Sequence, residues 1–133
     1  MRRLFPVLLL MLAACSPHAA KPPAERLLYA GEGRDRLCLA GERGGIIVYG
    51  KGDANCTARG RVDRRGEHLL TIIAGGDQDC RIDLHEQPGS IRLGNMAAGC
   101  TYYCGPGANY AGKAFAKNAS ASPAVDFAGD PLC

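Results

Sequence analysis

Seven cysteines, Cys15, Cys38, Cys56, Cys80, Cys100, Cys104 and Cys133, constrain this chain of 133 residues more than any other feature. A small cytosolic domain has little use for so many. Small exported domains with thin cores rely on them as disulfides. The residues ahead of the first cysteine agree with export. Met1-Arg2-Arg3 supplies a short positive segment, 4–12 is almost entirely apolar, and Ala13-Ala14 gives the small residues of a cleavage site. The apolar run is too short to span a bilayer as a helix, so 1–14 reads as a signal peptide.

Leu12-Ala13-Ala14-Cys15 resembles the lipobox of bacterial lipoproteins, in which the cysteine becomes the first mature residue and carries a diacylglyceryl thioether. The resemblance covers the leader alone. It implies lipid attachment at Cys15 and a membrane held through acyl chains, since two or three chains anchor stably where one binds marginally. Ser16 in place of an acidic residue points to the outer membrane, facing the periplasm. Loss of 1–14 removes Arg2 and Arg3 and lowers the formal charge from +3 to +1. A near-neutral mature chain gives no electrostatic basis for a nucleic-acid partner.

Residues 15–26 hold Pro17, Pro22 and Pro23 without apolar periodicity and read as an extended tether. From 27 to 117 short β-prone runs alternate with Gly-containing turns, and 18 glycines argue against a helical bundle. Strands are expected at 27–30, 37–39, 46–49, 57–62, 68–73, 80–85, 91–93, 101–103 and 113–116. An all-β fold follows, a small antiparallel barrel or sandwich of seven to nine short strands. In 80–85 the alternation puts Cys80, Ile82 and Leu84 on one face and Arg81, Asp83 and His85 on the other. Cys56, Ala58 and Val62 alternate likewise. Turns are expected at 63–66, 75–77 and 87–89, and 108–117 could instead be a short helix. The segment 118–133 is polar and Ala-rich, and Cys133 implies that it is stapled back onto the domain.

Six cysteines remain for up to three disulfides, with fifteen connectivities open. Each bridge is worth roughly 2–4 kcal/mol. If 100–104 is extended, Cys100 and Cys104 lie about 13 Å apart at roughly 3.3 Å per residue. That exceeds the ~7 Å limit of a disulfide, so the two bond different partners. The favoured pairing is Cys56 with Cys80, both inward, and Cys133 with Cys100 or Cys104. Zinc on Cys100 and Cys104 is the competing reading. It lacks a second close ligand pair, so no metal and no cofactor is expected.

Chemistry-bearing constellations are sparse. His68, His85 and Ser90 permit a hydrolase, but only by an arbitrary meeting of side chains. The acidic run Asp77-Gln78-Asp79 does not complete a calcium loop. Arg59, Arg61, Arg64 and Arg65 gather around one hairpin and could meet an anionic envelope surface. Tyr102, Tyr103, Tyr110 and Lys113 flank the Cys100–Lys113 stretch and are the candidate binding patch, tyrosines burying area while keeping a polar tip.

A small anchored β-barrel with disulfides resembles in architecture the membrane-bound inhibitors of C-type lysozyme. The inhibitory loop of that family carries a Ser and a Lys around a Gly-x-x-Tyr element. Here Gly107-Ala-Asn-Tyr110-Ala-Gly-Lys113 retains Lys113 but has no Ser, so no inhibitory role is transferred to individual residues. The expectation is a lipid-anchored, non-catalytic structural or binding module of the cell envelope, with an envelope protein or peptidoglycan as partner. A periplasmic inhibitor of a hydrolase such as lysozyme is the alternative, and a small hydrolase ranks last.

Overall fold

The computed structural model describes residues 15–76 and 78–133; the expected signal peptide, 1–14, lies outside the described residues. Eight antiparallel strands follow one another in chain order and close into a barrel. They are β1 (Arg26–Ala30), β2 (Arg36–Ala40), β3 (Arg43–Tyr49), β4 (Asn55–Gly66), β5 (Leu69–Ala74), β6 (Arg81–Gln87), β7 (Ser90–Leu93) and β8 (Ala114–Lys117). Closure is made by β1 and β8, which pair at Tyr29 with Lys117 and at Ala30 with Ala116.

The two-residue period of each strand builds the core. Leu37 and Leu39, Ile46 and Val48, Ile72 and Ala74, Ile82 and Leu84, Ile91 and Leu93 all point inward and join one buried cluster with Tyr110 and Phe115. The alternation expected for Cys80, Ile82 and Leu84, and for Cys56, Ala58 and Val62, is the one observed. Gly60 sits in the inward row of β4, where β5 approaches closely. A Cβ there would strike the carbonyl of Ile73 on β5.

The two ends of the barrel differ. At one end β7 leads into the long connection 94–113, which crosses over the barrel before returning as β8. It contains a short 3₁₀ helix, Ala98–Tyr103. Disulfides Cys80–Cys100 and Cys56–Cys104 fasten it to β6 and β4, with Cα separations of 4.5 and 4.0 Å. Tyr110 drops from this connection into the core, where its hydroxyl oxygen accepts the Ala97 N–H at 3.3 Å. This end is closed by a lid. The other end carries the tight turns between β2 and β3, β4 and β5, and β6 and β7, and the tether arrives there.

After β8 the chain does not fray. It runs along the outer wall and covers a second apolar cluster of Cys38, Ile47, Ala124 and Leu132, flanked by Leu28, Tyr49 and Cys133. The disulfide Cys38–Cys133 holds it there. Gly45, facing outward from β3, lets the chain lie close, since a Cβ would meet the Leu132 carbonyl.

Several expectations are corrected. Segment 101–103 is not a strand but part of the 3₁₀ helix: Cys100 N–H bonds Ala97 O at 2.9 Å, and Cys104 N–H bonds Thr101 O at 3.1 Å. The β preference of Thr101, Tyr102 and Tyr103 yields to two disulfides that tie the segment crosswise over the barrel. The strand expected at 113–116 is observed as β8, and the alternative of a helix over 108–117 falls away, the residues before β8 making turns. The turn expected at 63–66 falls later, because β4 runs on to Gly66.

Cys56 does not bond Cys80. With β5 between them, β4 and β6 stand two strand spacings apart, about 9.6 Å, too far for a bridge. The lid connection lies between the two cysteines and takes each separately. Cys133 bonds Cys38 rather than Cys100 or Cys104, because the final segment runs over the outer wall, to which Cys38 points. Cys100 and Cys104 are both in disulfides and are closed to zinc. Cys15 is an exposed free thiol.

Candidate functional site

The inward rows of β4 and β6 end in charges. After Cys56, Ala58, Gly60 and Val62 the next inward position of β4 is Arg64; after Ile82 and Leu84 the next of β6 is Glu86. Both strands pair with β5 at this level, Arg64 opposite Leu70 and Leu70 opposite Leu84. The two side chains therefore meet across the rim of the open end. Arg64 Nη1 lies 3.0 Å from Glu86 Oε2 and Nη2 lies 3.2 Å from Oε1, a two-pronged contact. Arg64 also donates to the carbonyls of Gly66 and Glu67 in the adjoining turn, at 3.1 and 3.0 Å. The hydrogen bond to Glu86 raises the already high pKa of the guanidinium further.

Beside this rim the end of the barrel forms a half-open hollow. A cavity of about 370 Å³ is lined by Leu27, Tyr29, Leu39, Gly41, Val62, Arg64, Leu70 and Glu86. Its size falls at the lower end of ligand pockets, and its make-up, apolar walls with a few convergent polar groups, is theirs as well. The deeper core is filled: Leu37, Ile46, Ile72 and Leu84 are wholly buried, whereas Leu39, Leu70 and Tyr29 retain 6–9% exposure toward the cavity. Burial raises the Tyr29 pKa and the charge of Glu86 adds to it, so the phenol stays protonated. No hydrogen-bond partner for that hydroxyl exists among the described residues. Three polar groups, a guanidinium, a carboxylate and a phenol, thus face one apolar hollow.

The residues singled out from sequence do not form one patch. Tyr102 projects from the 3₁₀ helix at 86% exposure and stacks edge-on against Tyr103, their rings 5.2 Å apart. Tyr103 bonds the Ala74 carbonyl through its hydroxyl at 3.3 Å. Tyr110 is a core residue. Lys113 lies elsewhere on the lid end, lining a shallow cleft with Glu32, Asp35 and Tyr49.

Ser90 and His85 share the outer wall but are offset along it, His85 standing opposite Arg92 and Ser90 opposite Gln87. Asp83 is engaged by the Thr71 hydroxyl at 2.9 Å. A larger groove of about 670 Å³ runs between β4 and the final segment, lined by Arg43, Arg59 and Arg61. Two of its cations are already committed. Arg59 pairs with Asp126 at 3.0 Å and bonds Pro131 O at 2.9 Å, and Arg61 pairs with Asp63 at 2.9 Å.

The place of Arg64 and Glu86 at the rim is hidden in the sequence because a charge looks like the end of an apolar alternation. The usable signal was parity: both fall on the inward beat of their strands. Comparison with family models, curated proteins and solved structures finds no match to this chain.

Proposed function

We propose that this chain is a lipid-anchored protein of the bacterial cell envelope that acts as a non-catalytic binding module, with the open end of the barrel as its seat. The Leu12-Ala13-Ala14-Cys15 motif supports acylation of Cys15, and three disulfides accord with an oxidising compartment. Ser16 favours the outer membrane, facing the periplasm. The observation that carries the reading is the path of the tether. Residues 15–26 enter β1 at the hollow end, where Ala24 lies against the Gly41 turn, so an anchor at Cys15 attaches the barrel by the end that bears the cavity and leaves the lid at the far end. The non-reduced intact mass of protein recovered from the envelope tests this. Acyl mass on Cys15 with the other six thiols closed to alkylation is expected; an unmodified Cys15 would remove the anchor.

A second reading, an inhibitor of a hydrolase such as lysozyme, has its own support. The 107–113 segment lies on the lid end, away from the anchor, with Lys113 in an exposed cleft. Titration of lysozyme with the protein decides it. An undiminished lytic rate at stoichiometric excess rejects the inhibitor.

A further inference from the structure

We propose that the hollow end of the barrel holds a single-chain zwitterionic phospholipid drawn from the bilayer, a lysophospholipid with an ethanolamine head. The proposal rests on the binding-module reading above and names its ligand.

The walls set the first requirement. Leu27, Leu39, Val62 and Leu70 offer an apolar surface on several sides of a hollow of about 370 Å³, suited to one flexible chain rather than two. The rim sets the second. Arg64 and Glu86 neutralise each other at a rim that water reaches, so a ligand bearing both signs can engage both of them while a ligand of one sign engages only one. A simple anion, such as a fatty-acid carboxylate, would take Arg64 and meet the like charge of Glu86 beside it. A neutral glyceride would find neither charge available.

A zwitterion resolves both problems. Its phosphate replaces Glu86 on the guanidinium, in the bidentate geometry arginine favours, and its ammonium replaces Arg64 on the carboxylate. Each protein charge exchanges one partner of opposite sign for another. The protonated Tyr29 hydroxyl, without a partner among the described residues, is placed to donate to an oxygen at the head–chain junction.

Placement sets the third requirement. The rim lies at the end the tether enters, so an anchored chain carries the seat at its membrane-linked end, with the lid at the other.

The test uses the mature chain, exported behind a general leader with Cys15→Ser so that no acyl chain of its own competes. Cys15 is exposed and outside the barrel, and its replacement leaves the three disulfides in place. Native mass spectrometry and calorimetric titration are run with lysophosphatidylethanolamine, a fatty acid of equal chain length and the matching monoacylglycerol. A one-to-one adduct is expected with the lysolipid, and weaker binding of the other two. Arg64→Gln, at an exposed position, and Glu86→Gln, which keeps the side-chain length at a half-buried one, should each weaken the lysolipid about tenfold or more, as loss of a hydrogen bond to a charge predicts. Glu86→Gln should at the same time improve the fatty acid. Val62→Trp, which fills the hollow, should abolish all three.

Equal lysolipid affinity for the parent chain and both rim variants overturns the proposal, as does tighter binding of the fatty acid or no adduct at all. Because the chain tested carries no acyl group, such a failure leaves the anchor at Cys15 to be judged on its own mass measurement.

Discussion

The carboxylate of Asp35 accepts the backbone N–H of Tyr49 at 2.8 Å, joining the loop before β2 to the end of β3 at the lid end of the barrel. Asp35 is buried, and burial raises its pKa above the ordinary 3.8 even though the Tyr49 N–H pulls the other way. A raised folded value means that the protonated form is favoured by folding. Its contribution is therefore present in full below 3.8 and lost as pH rises through the folded value. Asp35→Asn keeps the acceptor and discards the charge. Urea unfolding should find it as stable as the parent or more so at pH 7, the difference closing below about pH 4. Asp35→Ala strands the Tyr49 N–H and should cost about 1–3 kcal/mol at either pH.

Two glycines with similar-looking obstructions should behave differently. Gly60→Ala drives a methyl group into the Ile73 carbonyl inside the strand ladder and should cost about 3 kcal/mol, with loss of the cooperative unfolding transition as the extreme. Gly45→Ala meets the Leu132 carbonyl in the final segment, which can lift away. Its barrel should unfold at close to the parent midpoint, while proteolysis within 118–133 quickens.

The three bridges span 95, 48 and 20 residues. Loop-closure entropy ranks Cys38–Cys133 above Cys80–Cys100 by about 1.4 kcal/mol if the whole domain unfolds at once. The final segment, however, only lies on the outer wall. Replacing Cys38 and Cys133 by alanine should therefore speed amide exchange at Leu132, which bonds Ala124 O, and leave β5 amides slow. Replacing Cys80 and Cys100 should loosen the lid and raise exchange at Cys104 and Ala108 instead.

Tyr29 and Tyr110 both hold their phenols above the usual 10.0, burial being the main cause in each. The stability they lend is complete at neutral pH and declines as pH climbs past 10 through the folded values. Tyr29→Phe combined with Tyr110→Phe should flatten that alkaline decline in denaturant titrations. At neutral pH the Tyr110 change alone should cost about 1 kcal/mol, because the Ala97 N–H loses its acceptor.

How far the fold could be read in the residues depended on parity. Where apolar residues kept the beat, as in Cys80-Arg81-Ile82-Asp83-Leu84, both the strand and its faces were legible. The same rule, pressed further, places Cys38 outside, since it lies between the inward Leu37 and Leu39. It also carries β4 on to Arg64 and β6 on to Glu86. Hydrophobicity stops short of those positions, and only the beat itself reaches them. The lid was less accessible. Thr101, Tyr102 and Tyr103 favour strands as individuals, and only the pairing of Cys100 with Cys80 and Cys104 with Cys56 bends them into a 3₁₀ turn. Disulfide connectivity is a long-range fact that no local pattern contains.

Because β8 returns to β1, each of the eight strands among the described residues has a neighbour on both sides. Such a closed sheet gives another chain little room to add a strand. Any association, with a copy of itself or with a different molecule, has to be written in side chains and loops. Such contacts yield to single substitutions, and molecules crowded together on a surface find in the closed barrel a poor backbone template for polymerisation.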